Sequence, residues 1–235
     1  MRLTNRVVGI ITALLAMIGS MSGSNVAAAD APAPLGGGAG ITINGTACTL
    51  TTIGHDSARN LVGFTSAHCG GPAASVAAEG AGGAVGSVVA ADEGLDYAVI
   101  KFDPAKVTAI HDFDGFAING IGPDLHQLEL QTACQQSRAT GHACAQIFAG
   151  KTQTLYECGN PDDAGAPLTV NDALVGMIRG GFTPADRACP EIHGALAPHP
   201  YFPKQDQPQI VSIDAILANA NAKGGPGAGF SPIPA

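Results

Sequence analysis

A chain of 235 residues holds one domain or two small ones, and with 46% apolar and 13% charged residues it is too apolar for wholesale disorder. The formal net charge of −8 speaks against nucleic acid and anionic lipid as partners, because phosphate contacts need Lys and Arg. Aromatic residues are 5%, Trp is absent and Gly numbers 32, so the core has to be built from small aliphatic side chains.

Residues 1–29 read as a secretory signal peptide. Arg2 and Arg6 give a positive start, and the apolar run from Val7 to Ile18 is too short to span a hydrocarbon core of roughly 30 Å as a helix. Ala27, Ala28 and Ala29 before Asp30 fit a cleavage site. An uncleaved membrane anchor is the competing reading. No other stretch is long enough to cross a membrane, so none is expected to be engaged after cleavage. Loss of the two arginines would take the charge from −8 to −10.

Residues 30–40 read as an Ala/Pro/Gly linker. From Ile41 onward short, β-branched apolar runs alternate with turn residues. Strands are expected at 41–43, 49–53, 61–65, 85–90, 97–102, 128–132 and 154–158. Leu168–Val170, Asn171-Asp172 and Ala173–Ile178 make a hairpin signal, since Asn-Asp suits a two-residue turn with positive φ. No helical pattern alternates with these strands, which speaks against a parallel sheet and makes an antiparallel barrel or sandwich the expectation. One helix is expected over 210–223, with Ser212 as N-cap, Asp214 in the first turn and Ile213, Ile216, Leu217 and Ala220 on one face. Lys223 and the Gly224-Gly225-Pro226 stop signal end it, and 224–235 reads as a disordered tail.

Six cysteines remain after cleavage: Cys48, Cys69, Cys134, Cys144, Cys158 and Cys189. An even count in an exported chain argues for disulfides, with fifteen pairings open. None stands at Cys-x2-Cys spacing, which speaks against zinc. His55, His111, His126, His142, His193 and His199 read as solvated loop residues. His193 and His199 could share a metal but lack further ligands. Asp112 and Asp114 read as a solvated turn.

Three segments carry chemistry. His68 lies in Thr65-Ser66-Ala67-His68-Cys69, Asp96 opens Asp96-Tyr97-Ala98-Val99-Ile100, and Ala164 lies in Cys158-Gly-Asn-Pro-Asp162-Asp163-Ala164-Gly165-Ala166-Pro167. In this order they resemble the histidine, aspartate and nucleophile segments of the chymotrypsin/trypsin-like serine proteases. Cys134 to Cys144, with Thr140-Gly141 between, resembles a segment of the bacterial, streptogrisin-like branch. The resemblance spans about residues 40 to 190. It implies an all-β fold of two packed antiparallel β-barrels, 36–115 and 116–209, followed by the helix. It also implies sequential disulfides 48–69, 134–144 and 158–189, each contributing about 2–4 kcal/mol.

The departures from that pattern decide the expected function. Ala164 stands at the nucleophile position without a hydroxyl. Asp162 replaces a glycine at the oxyanion-hole position, where its carboxylate would oppose developing negative charge. The resemblance places Arg179, Gly180 and Gly181 along the substrate cleft, with Arg179 and Gly180 at the places of a Ser and a Trp. Arg179 could pair with Asp96, which would lower the Asp pKa, or could point to solvent. The reading is a secreted or envelope pseudo-protease, monomeric and without cofactor, keeping a cleft for a peptide or protein ligand. The alternatives are a weak hydrolase in which His68 activates water and a disulfide-stabilised structural envelope protein.

Overall fold

The computed structural model describes residues 31–128, 131–146, 163–179 and 210–235. Eighteen strands and one α-helix are formed among them, in chain order β1 (Ala33–Leu35), β2 (Gly40–Ile43), β3 (Thr46–Thr49), β4 (Thr52–His55), β5 (Leu61–Ser66), β6 (Ser75–Ala78), β7 (Ala84–Asp92), β8 (Tyr97–Phe102) and β9 (Val107–Ala109). There follow β10 (Asp112–Phe113), β11 (Phe116–Ala117), β12 (Gly120–Ile121), β13 (Thr132–Ser137), β14 (Gly141–Gln146), β15 (Pro167–Val170), β16 (Ala173–Ile178), β17 (Ile210–Ser212), α1 (Ile213–Lys223) and β18 (Ser231–Pro232).

Alternation of apolar residues builds two curled, mainly antiparallel sheets. The first runs β18-β4-β5-β8-β7-β6-β2-β3 and the second β12-β16-β15-β13-β14, with β17 also on β16. The first sheet closes over Ile41, Ile43, Leu50, Val76 and Ile100, all essentially inaccessible to solvent. A second cluster lies between the sheets. It joins Val62, Phe64, Tyr97 and Val99 of the first to Leu174 and Met177 of β16 and to Ile213 and Ile216 of α1. Small aliphatic residues dominate both clusters, as the shortage of aromatics requires.

The expected hairpin is formed. Asn171 (φ 49°) and Asp172 (φ 60°) turn between β15 and β16, whose Val170 faces Ala173. The helix spans Ile213–Lys223 and buries Ile213, Ile216 and Ala220, while Leu217 is half-buried. Ser212 sits at the N-cap, yet its hydroxyl makes no capping bond and is buried without a partner.

Several expectations are corrected. Residues 30–40 are no linker: Ala33–Leu35 pairs in parallel with Val107–Ala109, because Ala33 and Leu35 bury their side chains on alternate positions. The single strand expected over 49–53 is two, broken where Leu50 and Thr51 turn their amides to Ala39 and Phe64. Leu128 follows a 3₁₀ turn (Leu125–Gln127), and the strand begins only at Thr132. Residues 210–212 form a strand on β16, so the helix starts at Ile213. The tail 224–235 is ordered: Ser231 and Pro232 pair with His55 and Gly54, and Phe230 stacks edge-on against Phe64 at 5.0 Å. The signal-peptide segment 1–29 and the strand expected at 154–158 lie outside the described residues.

Candidate functional site

His68 is held by its own backbone before its side chain acts. β5 ends at Ser66, and a 3₁₀ turn over Ala67–Cys69 follows. The disulfide Cys48–Cys69 ties that turn to β3. The Ala67 amide donates to the Asp96 carbonyl at 3.1 Å. Asp96 precedes β8 with φ 54°, a left-handed conformation that Asp tolerates better than most residues.

The two side chains meet squarely. His68 Nδ1 lies 2.8 Å from Asp96 Oδ2 and 3.1 Å from Oδ1, and the His68 amide donates to Oδ1 at 3.0 Å. An ionised carboxylate only accepts, so Nδ1 carries the proton and Nε2 is left as the basic nitrogen. The His68 side chain is half exposed, whereas Asp96 is 7% exposed. Burial raises the Asp96 pKa, but the hydrogen bonds and charge of His68, with a smaller contribution from Arg179, outweigh it and hold the carboxyl below its ordinary value. Arg179 Nε lies 3.4 Å from Asp96 Oδ2, so this arginine does reach the carboxylate.

The segment 163–166 lies against the strands that carry His68. The Thr49 amide donates to the Ala164 carbonyl at 2.8 Å, and Thr51 Oγ1 donates to the Gly165 carbonyl at 2.6 Å. Gly165 N–H meets the Ile178 carbonyl and Ile178 N–H returns to Ala166, both at 2.8 Å. Gly165 has φ 87°, and a Cβ there would strike the Thr49 carbonyl and the Thr65 hydroxyl. Ala164 itself is fully buried in the first core cluster with Cys48 and Cys69.

Asp163 is the residue that sequence reasoning missed. Its buried carboxylate accepts from Ser137 Oγ at 2.6 Å, from Thr140 Oγ1 at 2.6 Å and from the Thr140 amide at 3.1 Å. The turn between β13 and β14 thereby anchors the segment at the candidate nucleophile position. The same turn reaches the first sheet, where the Arg138 amide donates to Thr49 Oγ1 at 3.1 Å and the Arg138 guanidinium pairs with Glu79. Sequence spacing does not reveal this, because the partners lie 23–26 residues away.

Disulfides join Cys48 to Cys69 and Cys134 to Cys144, as the resemblance implies. Cys134, His142 and Cys144 bring their ligand atoms within 4.8 Å of one another, but the disulfide occupies both sulfurs. Asp162, Gly180, Gly181, Cys158, Cys189, His193 and His199 lie outside the described residues, and so does the His126 side chain.

Among solved structures the chain is similar to Thermobifida fusca Protease A, at 16% identity and a TM-score of 0.57 over 80% of this chain and 96% of that one. It is also similar to a glutamic acid-specific serine protease described as using a histidine triad in substrate binding. That match has 13% identity and a TM-score of 0.59 over 85% and 100% of the two chains. Cellulomonas bogoriensis chymotrypsin matches at 17% identity and a TM-score of 0.54 over 86% and 100%. The fold is that of the trypsin-like serine proteases. No protein-family model matches the chain, and no curated protein does. At these identities the likeness speaks for architecture, and the chemistry has to be argued from the side chains.

Proposed function

We propose that this chain is a secreted trypsin-like pseudo-protease that keeps a cleft for a peptide or protein ligand and does not hydrolyse it. The observation that carries the reading is the His68–Asp96 pair, taken together with an alanine at the position where the resembled family has its serine. His68 is tautomerically fixed by Asp96 for general-base work, and Ala164 offers no oxygen for it to activate. Loss of the serine in comparable chemistry costs on the order of 10⁶ in turnover. In the sequence Asp162 stands where the resembled family has a glycine, a second departure from what an oxyanion hole requires. Export fits the two disulfides, which persist in oxidising compartments, and the signal-like residues 1–29. We take the mature chain to be a monomer.

A second reading is supported by the exposure of His68. A half-exposed imidazole backed by a buried carboxylate can deprotonate water, giving weak hydrolysis without an acyl intermediate. One experiment separates the two. The mature protein, Ala164→Ser, and Ala164→Ser with Asp162→Gly are compared on peptide substrates and with a fluorophosphonate probe. The expected result is a silent wild type and labelling that is strongest in the double variant. Hydrolysis by the wild type that disappears in His68→Ala would overturn the pseudo-protease reading in favour of water activation.

A further inference from the structure

We propose that Cys134–Cys144 is a reducible disulfide that sets the rigidity of the 163–166 segment, a form of regulation that rests on the pseudo-protease reading of that site. The two disulfides sit in opposite surroundings. Cys48 and Cys69 are 1% and 2% exposed within the first core, whereas Cys144 is exposed and Cys134 half-buried. The bridge joins residues directly opposite one another on β13 and β14.

His142 lies on the same strand face as Cys144, two residues away, with Nε2 3.7 Å from the Cys144 sulfur. Phe116 backs its ring edge-on at 6.0 Å. An imidazole N–H in that position stabilises a thiolate, and stabilising the reduced form makes a disulfide easier to reduce. Exposure gives a reductant access to the sulfur.

The consequence travels through the hairpin turn. Ser137 ends β13, Thr140 precedes β14, and both hold the Asp163 carboxylate next to Ala164. Opening the bridge removes the covalent tie between the two strands three residues from Ser137 and leaves their ladder alone to hold the turn.

The chemistry balances with an external dithiol, the class of reductant found on thiol-disulfide oxidoreductases. One thiolate attacks Cys144 Sγ, forming a mixed disulfide while Cys134 leaves with the bonding electron pair and takes up a proton. The second thiolate then attacks the mixed disulfide and expels Cys144 beside His142. The protein gains two electrons and two protons, and the dithiol becomes a disulfide.

The test is a dithiothreitol titration of the folded mature protein. Alkylation is read cysteine by cysteine, including Cys158 and Cys189, and amide hydrogen exchange is followed in parallel. The expected outcome is reduction of Cys134–Cys144 at a reduced-to-oxidised dithiol ratio about tenfold or more below that needed for Cys48–Cys69, equivalent to about 30 mV. His142→Ala should raise the required ratio. Once the bridge is open, the Thr140, Gly165 and Ala166 amides should exchange faster while the β5 and β8 amides stay protected. The paired variant Cys134→Ser with Cys144→Ser should show that loosening under fully oxidising conditions, which separates it from any reduction elsewhere. Equal or earlier reduction of Cys48–Cys69 would overturn the proposal, and so would unchanged exchange at 163–166 with the bridge open. Neither readout involves hydrolysis, so a failure here leaves the pseudo-protease reading intact and is distinguishable from a failure of that reading, which only the hydrolysis and probe comparison detects.

Discussion

Asp96 Oδ2 is a shared oxygen, with His68 Nδ1 at 2.8 Å and Arg179 Nε at 3.4 Å. A guanidinium draws carboxylate charge that would otherwise stabilise an imidazolium at His68. In the Ala164→Ser, Asp162→Gly background, Arg179→Ser should therefore raise the rate of probe labelling, and every 1.4 kcal/mol released would be worth about tenfold. The same site dictates a pH dependence. Because the folded Asp96 pKa is lowered, its contribution to stability is fully present above the unfolded carboxyl pKa, near 3.9, and is lost as pH falls through the folded value. The difference in melting temperature between the wild type and Asp96→Asn should be largest near neutrality and shrink below about pH 4. A constant difference across that range would contradict the assignment. The His68–Asp96 pair was legible in the sequence because each residue sits in a short contiguous segment. Asp163 was not, since its meaning comes from Ser137 and Thr140, which only folding brings to it. Asp163→Ala would take the acceptor from the buried Ser137 hydroxyl and release the exposed Thr140, and should cost about 1–2 kcal/mol, measurable as a shift in denaturation midpoint.

At the level of elements, local chemistry was most readable where one residue type forces a conformation. Asn171 and Asp172 accept positive φ, and the β15–β16 hairpin follows from them. The α1 face follows from helical periodicity. Strand edges were less readable: the run 49–53 is β-branched at every residue but Leu50, yet it breaks where the Leu50 amide turns to Ala39 and the Thr51 amide to Phe64, the Thr51 side chain binding the Gly165 carbonyl. Helix α1 is fixed to the first sheet by Tyr97, whose buried hydroxyl donates to Asn219 Oδ1 at 2.7 Å. Burial raises the Tyr97 pKa, the negative charge of Asp92 adds to it and nearby Lys223 opposes it, so the phenol stays protonated and donating. Tyr97→Phe should lower stability by about 1 kcal/mol while leaving the fold unchanged, as judged by denaturant unfolding and circular dichroism.

Across the whole molecule, the segment least legible in the sequence closes the structure. Gly and Pro residues over 224–235 suggest disorder by composition, but composition is silent about what the chain finds on the neighbouring sheet. After α1 leaves the second sheet through β17, the tail crosses back to the first. Gly227 comes against Val99 and Phe64, where its φ of 86° and missing Cβ permit the approach. Phe230 stacks on Phe64, and β18 extends the first sheet beside β4. Asp56 caps the junction. Burial raises its pKa, yet hydrogen bonds from the Asn60 side chain and from the Asn60, Gly227 and Ala58 amides prevail and lower it, so it remains an anion in place. Such a return strap adds to the apolar cluster between the two sheets and to the hydrogen bonds that Thr49 and Thr51 make with Ala164 and Gly165. Truncation after Lys223 should therefore remove an edge strand and an aromatic contact together, lowering stability by about 2 kcal/mol or more and the melting temperature by about 4–8 °C. The β4 amides, now at a sheet edge, should lose hydrogen-exchange protection before those of β8. A truncated chain that melts with the full-length protein and keeps β4 protected would show that the strap rests on the surface without bearing on the fold.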